Sequence, residues 1–258
     1  MAERPGSALW LLTPEQLIVI CDLLGIAELP HSRYVDGSDE EIPAVVQMVG
    51  LRSAAIVRLI DVDGSEDGPR VEALLAETLL ALIDSAQEAV GHVALRGDQA
   101  SFVVGDGLML SLREEDELVE LRLEPVSEGI ERLRSRCAAT LDAGLTVDDL
   151  ESEALVAESR WNRLVAGGPE RSSDDPIVTR AARAVAAQRF AEVTVIRADP
   201  GTGYTGSVLG WFDGGAITIE PEVEDASEDE PLFRLRTGVD VRAELDELWA
   251  VLTPVVAG

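Results

Sequence analysis

Lysine is absent from this sequence, and its 21 basic residues, all arginine, stand against 49 aspartates and glutamates for a formal net charge of −28. That surplus repels phosphate backbones and anionic lipid headgroups across a screening length of about 8 Å at physiological salt. Nucleic acid and membrane surfaces are therefore excluded as expected partners. Cysteine is scarce: Cys21 and Cys137 each stand alone in an apolar-periodic stretch without a CxxC, and read as buried reduced thiols. Histidine is equally scarce. His31 follows Pro30 in a loop and His92 lies in a strand pattern, with no GxSxG elbow or HExxH helix beside either, so both are expected to be structural. Aromatic residues make up 4% of the chain, which leaves aliphatic side chains to fill the interior. No stretch approaches the ~18 uninterrupted apolar residues of a membrane span. The apolar run before Thr13-Pro14-Glu15 is too short for a signal-peptide core, so the chain is expected in the cytoplasm.

What is present is a globular composition, 46% hydrophobic and 27% charged, over 258 residues, long enough for one large domain or two fused modules. Thr13-Pro14-Glu15-Gln16 combines an N-cap, a proline at the first helical position and a capping-box glutamine, and Gly25 ends the helix it opens. An irregular acidic stretch follows at 36–41, then helical spacing at 43–60, a loop at 61–68 and another helix at 71–83. From about residue 90 the period falls to two, which predicts strands over 90–95, 100–104, 108–113 and 118–123, then a helix over 126–137. The second half opens with helices, one from Thr146 through the neighbourhood of Trp161 and one from Asp175-Pro176 to about Arg189. Strands over 192–197, 206–212, 216–220 and 232–236 and a closing helix over 239–252 follow.

The two meanders resemble each other in sequence. Leu121-Arg122-Leu123 leads to Leu133 across the same interval that separates Phe233-Arg234-Leu235 from Leu245, and Asp106-Gly107 parallels Asp213-Gly214. The expected fold class is accordingly α+β: two pseudo-twofold-related antiparallel meander units with flanking helices and helical bundles. Residues 1–140 hold the N-terminal helices, the first meander and its helix. Residues 141–258 hold the helical pair, the second meander and the C-terminal helix. The stretch 222–230 reads as a solvated acidic loop.

Several motifs lose their chemistry in context. Gly201-Thr202-Gly203-Tyr204-Thr205-Gly206 matches GxGxxG, but a dinucleotide site needs those glycines to open a helix, and here a strand follows. A kinase would require a phosphate-binding lysine, which the chain lacks. Asp61-Val62-Asp63-Gly64 lacks the third acidic position before its glycine and the closing glutamate of a calcium loop. Carboxylate pairs are expected by chance in so acidic a chain. No catalytic, cofactor-binding or metal-binding residue is assigned, and no cofactor is expected. Trp161 with Leu164 and Val165, ahead of Gly167-Gly168-Pro169, either fills the core between helices or anchors a partner.

Leu12-Thr13-Pro14-Glu15-Gln16-Leu17, Leu23-Leu24-Gly25 and Glu28-Leu29-Pro30 resemble the opening of the EspG family, the cytosolic chaperones of type VII (ESX) secretion in actinobacteria. The hairpin at Arg96-Gly97-Asp98, the Asp106-Gly107 strand pair, and Trp211-Phe212-Asp213-Gly214-Gly215-Ala216-Ile217-Thr218-Ile219-Glu220-Pro221 resemble that family's two sheets. The lysine-free, Ala-, Val-, Leu-, Gly- and Asp-rich usage likewise resembles a high-GC actinobacterial genome. The resemblance covers the order of elements over nearly the whole chain. It implies a two-lobed, EspG-like α+β fold without enzymatic activity that recognises a helical secreted protein, PE–PPE-like or WxG-type. The family surface falls here on Arg96, Gly97, Asp98 and Gln99 and on the helices over 146–189, which carry Trp161, Leu164 and Val165. The short first-sheet loops and the acidic insertion at 222–230 depart from the family pattern. A self-associating structural or regulatory protein, for instance a homodimer, is the second reading.

Overall fold

The computed structural model describes residues 7–29, 32–37, 42–61, 69–83, 89–95, 98–115, 117–142, 153–165, 175–187, 189–199, 203–212, 215–219, 232–238 and 240–252. The elements begin β1 (Ala8–Leu12), α1 (Pro14–Leu24), α2 (Ala44–Ile56), β2 (Ile60–Asp61), β3 (Arg70–Val71) and α3 (Ala73–Ile83). The first meander follows as β4 (Ala89–Leu95), β5 (Asp98–Gly105), β6 (Leu108–Glu114) and β7 (Val119–Pro125), and α4 (Val126–Asp142) comes after it. Next come β8 (Glu153–Ala157), α5 (Glu158–Val165) and α6 (Pro176–Ala186). The second meander is β9 (Ala191–Asp199), β10 (Gly203–Phe212), β11 (Gly215–Ile219) and β12 (Leu232–Arg236), and α7 (Val241–Ala250) closes the order. The fold is α+β, antiparallel meanders with flanking helices.

The chain divides into two compact units, one formed by Met1–Val90 with Ala100–Gly129, the other by Gly91–Gln99 with Ile130–Gly258. In the first, the strand order is β1-β7-β6-β5, and the pairings β1 to β7, β7 to β6 and β6 to β5 are all antiparallel. Its core gathers Leu12, Leu17, Ile20 and Cys21 with Leu75, Leu79, Val119 and Leu121. The Thr13 capping box forms as the sequence predicts: Gln16 N–H donates to the Thr13 hydroxyl at 3.3 Å, and Thr13 N–H donates to Gln16 Oε1 at 2.9 Å. Gly25 closes α1 at φ 70°, in the left-handed region that glycine enters without steric cost. Asp106 and Gly107 turn β5 into β6 with φ of 52° and 75°, as a two-residue hairpin turn requires.

In the second unit the order is β4-β9-β10-β11-β12-β8. Its core packs Val156, Trp161, Leu164, Ile177, Val178 and Ala181 with Phe212 and Leu235. Asp175 caps α6 by accepting from Ile177 N–H at 3.0 Å, ahead of Pro176 at the first helical position.

Two expectations are corrected and one element is added. Residues 153–157, predicted as part of a helix from Thr146, form β8, which pairs antiparallel with β12; its two outward positions, Glu153 and Leu155, and its buried Val156 follow the period of a strand. The ends of the predicted helices 43–60 and 71–83 are drawn into the short hairpin of β2 and β3. The brief apolar run Ala8–Leu12 is the edge strand β1. The predicted acidic loop at 222–230, the Asp213-Gly214 turn, His31 and the start of the helix at Thr146 lie outside the described residues.

Candidate functional site

The two meanders meet their edge strands in corresponding registers. In the first unit Ala8, Leu9 and Trp10 of β1 stand opposite Leu123, Arg122 and Leu121 of β7. In the second, Ala154, Leu155 and Val156 of β8 stand opposite Leu235, Arg234 and Phe233 of β12. The row continues inward, since Ser111 faces Arg122 and Thr218 faces Arg234. Each central arginine is held by a carboxylate: Arg122 Nε donates to Glu120 at 3.0 Å, and Arg234 Nε lies 3.6 Å from Glu153. On each edge strand the leucine beside the arginine is exposed, Leu9 at 49% and Leu155 at 51%. Sequence reading found the Arg122 and Arg234 correspondence but missed the edge strands. The repeated Ala8-Leu9 and Ala154-Leu155 pairs, each followed by two apolar residues, are the signal that marks them.

Of the residues assigned to a partner surface, Arg96 and Gly97 lie outside the described residues. Asp98 opens β5, where its carboxylate accepts from Arg136 of α4, and Gln99 beside it is exposed. A charge-assisted bond therefore fixes the end of the hairpin to a helix. Trp161 and Leu164 are core residues, and the Trp161 ring lies 6.5 Å from the Phe190 ring and 6.3 Å from the Phe233 ring, both tilted. Val165 is the last residue of α5. From the same helix Ser159, Arg160, Asn162 and Arg163 are exposed. The structure thus gathers the tryptophan with the aromatic core and leaves the end of the β4–β5 hairpin as a separate feature.

Among the described residues the reactive side chains do not converge. Cys21 and Cys137 are buried, and burial pushes each thiol up to about 12, so neither is a thiolate at neutral pH. Among the described residues no group of three or more His, Cys, Asp or Glu could hold a metal ion. The glycines Gly203 and Gly206 lie within β10, in ladder register with Asp199 and Ile196 of β9, and open no helix.

Sequence reading predicted a helix over 43–60, where α2 stands, but not which of its faces points inward. Its fully buried residues are the small Gly50 and Ala54, and Leu51 packs partly against the core, while Val45, Met48, Val49 and Ile56 are exposed. Ordinary amphipathic helices bury the large apolar side chains. The helix ends in a Schellman arrangement, in which Arg58 N–H donates to the Ala55 carbonyl and Leu59 N–H to the Ala54 carbonyl. Arg58 occupies the left-handed position at φ 62°.

No family model and no curated protein matches the chain. Among solved structures it is similar to that of the Mycobacterium tuberculosis type VII secretion system chaperone EspG5 in complex with the PE25-PPE41 dimer, at 12% sequence identity, covering 96% of this chain and 98% of that chain with a TM-score of 0.49.

Proposed function

We propose that this chain is a non-catalytic, cytoplasmic, chaperone-like protein that binds a helical secretion substrate of a type VII system, PE–PPE-like or WxG-type. The observation that carries the reading is the repeated register, with Leu9 beside Arg122 and Leu155 beside Arg234. A two-lobed α+β body is what the resemblance of the sequence to the EspG family implies. In this reading the sheets are a frame for presenting surface, and the contact begins at the β4–β5 hairpin, where Arg136 holds Asp98 and Gln99 faces solvent. An extended apolar helix tip on the substrate would be shielded there until export, and the chaperone's net charge of −28 would keep the complex soluble.

The test is co-expression of the chain with a PE–PPE pair and, separately, with a WxG-type pair, each followed by size exclusion with light scattering. The expected result is a stoichiometric complex with one of them, weakened when Gln99→Arg and Asp98→Arg alter the hairpin. A chain that elutes alone in both cases would overturn the reading.

A further inference from the structure

Helix α2 carries an apolar face that its own unit does not cover. At about 100° per residue, Val45, Met48, Val49, Arg52 and Ile56 share one stripe. The four apolar members of that stripe are between 48% and 75% exposed. Gly50 and Ala54 lie on the opposite side, buried. The stripe is also electrostatically exceptional. Residues 42–60 form the longest stretch without an aspartate or glutamate in a chain whose net charge is −28. Its two charged side chains, Arg52 and Arg58, are both exposed, and among the described residues neither guanidinium has an ion pair or hydrogen bond. In so acidic a protein, two exposed arginines without carboxylates among the described residues, on a helix with four exposed aliphatic residues and at its C-terminal end, describe a surface suited to carboxylates brought from elsewhere.

Two occupants compete for such a face. A second copy of the chain would pair α2 with α2 about a two-fold axis. Arg52 lies near the middle of the stripe, so that arrangement sets it against its own counterpart, between two bodies that each carry −28. Local and overall charge both oppose it. A helix from a different protein meets neither objection. Ridges spaced three and four residues apart accept a second helix, and carboxylates on its flank would reach Arg52 and Arg58. We infer that the outward face of α2 is a docking site for an amphipathic helix of another protein, one that presents an aliphatic face flanked by acidic side chains toward Arg52 and Arg58. This goes beyond the substrate reading above and does not depend on it.

The test uses the full chain and two synthetic peptides of about 18 residues, long enough to form a helix. Both carry leucine and isoleucine at helical spacing, one flanked by glutamates and the other by lysines, and binding is followed by fluorescence anisotropy. The chain's overall charge favours the lysine peptide, so a preference for the glutamate peptide is an outcome that only the local arginines produce. The expected result is saturable binding of the glutamate peptide, about tenfold tighter than the lysine peptide. That preference should invert in the double variant Arg52→Glu, Arg58→Glu, and both affinities should fall in Met48→Glu. All three positions are exposed, and an unchanged melting curve for each variant keeps the comparison valid. Absence of saturation, or equal binding of the two peptides unaffected by the arginine variant, would overturn the inference. So would a dimer of the free chain that Met48→Glu dissociates, since a second copy would then be the occupant. A chain that binds no secretion substrate and still discriminates between the peptides would refute the substrate reading and leave this one standing.

Discussion

Gly50 of α2 approaches the backbone of Glu15 in α1 so closely that a Cβ placed on it would lie 2.3 Å from the Glu15 carbonyl oxygen and 2.7 Å from Val19 Cγ2. That contact explains a glycine in the interior of a helix, where it costs roughly 1 kcal/mol relative to alanine. Gly50→Ala therefore reverses the usual rule: the gain in helix propensity is outweighed by overpacking against a backbone atom that cannot rotate away, for a net loss of about 1–2 kcal/mol. Urea denaturation checks it through a lowered midpoint at unchanged slope. A midpoint at or above that of the parent protein would mean that the two helices separate freely.

Trp161 should behave as a core residue. Its ring is wedged by Phe190 and Phe233 at centroid distances of 6.5 and 6.3 Å. Trp161→Ala is expected to cost about 3–5 kcal/mol, while Trp161→Phe retains most of the packing. If the ring were instead a partner anchor, Trp161→Phe would abolish partner binding at full stability, and titration of a purified complex with both variants separates the two roles.

Much of this fold was legible in the sequence because its punctuation is local. The Thr13 capping box, Gly25, the Asp106-Gly107 turn and Asp175-Pro176 each satisfy a backbone requirement within a few residues, and the elements they bound appear where predicted. What escaped reading depends on distant partners. β1 and β8 are five-residue edge strands that exist through ladder hydrogen bonds to β7 and β12, more than a hundred residues away for β1. Before that pairing is known, Ala154 to Ala157 continues smoothly into the helical spacing around Trp161. The α2 surface escaped for a related reason. Its apolar content reads as core, and only the buried Gly50 and Ala54 show which face points inward.

Both thiols should be inert in the folded protein. Cys21 and Cys137 are 1% and 0% exposed, and desolvation raises each from 9.0 to about 12. Native protein is expected to show no reaction with a thiol reagent at pH 8, and two equivalents on unfolding. The same shift makes stability depend on alkaline pH. The folded state keeps each thiol protonated to higher pH than the unfolded chain does, so this contribution is complete below pH 9 and is lost as pH rises toward 12. Each thiol adds a decline of up to about 1.4 kcal/mol per pH unit in that window. Denaturation midpoints at pH 9, 10 and 11 should therefore fall less steeply in Cys137→Ala than in the parent chain.

The hairpin clasp should matter for recognition and little for stability. Arg136 and Asp98 are 22% and 33% exposed, and an ion pair that open to solvent is worth no more than about 1 kcal/mol. Asp98→Asn is expected to leave the melting temperature nearly unchanged while loosening the end of β5. Hydrogen exchange of the amides at the start of that strand reports the loosening directly. Unchanged protection there would show that the strand end holds without Arg136.

Arg58 offers the sharpest separation of stability from function. It occupies the position after the C-cap of α2 at φ 62°, where glycine is the residue that fits without strain. Two backbone hydrogen bonds fix that geometry, from Arg58 N–H to the Ala55 carbonyl at 3.1 Å and from Leu59 N–H to the Ala54 carbonyl at 2.9 Å. An arginine held there costs about 1 kcal/mol in backbone strain, and its exposed guanidinium has no carboxylate among the described residues to offset it. Arg58→Gly is thus expected to raise stability by about 0.5–1 kcal/mol, less the larger backbone entropy that glycine gives the unfolded chain. It should also weaken the glutamate-flanked peptide, because one of the two exposed cations, the one just past the C-terminal end of α2, is gone. Thermal melting and anisotropy on the same preparation read both effects. A variant that gains stability and binds the peptide undiminished would remove Arg58 from the docking face and leave Arg52 to carry its charge alone.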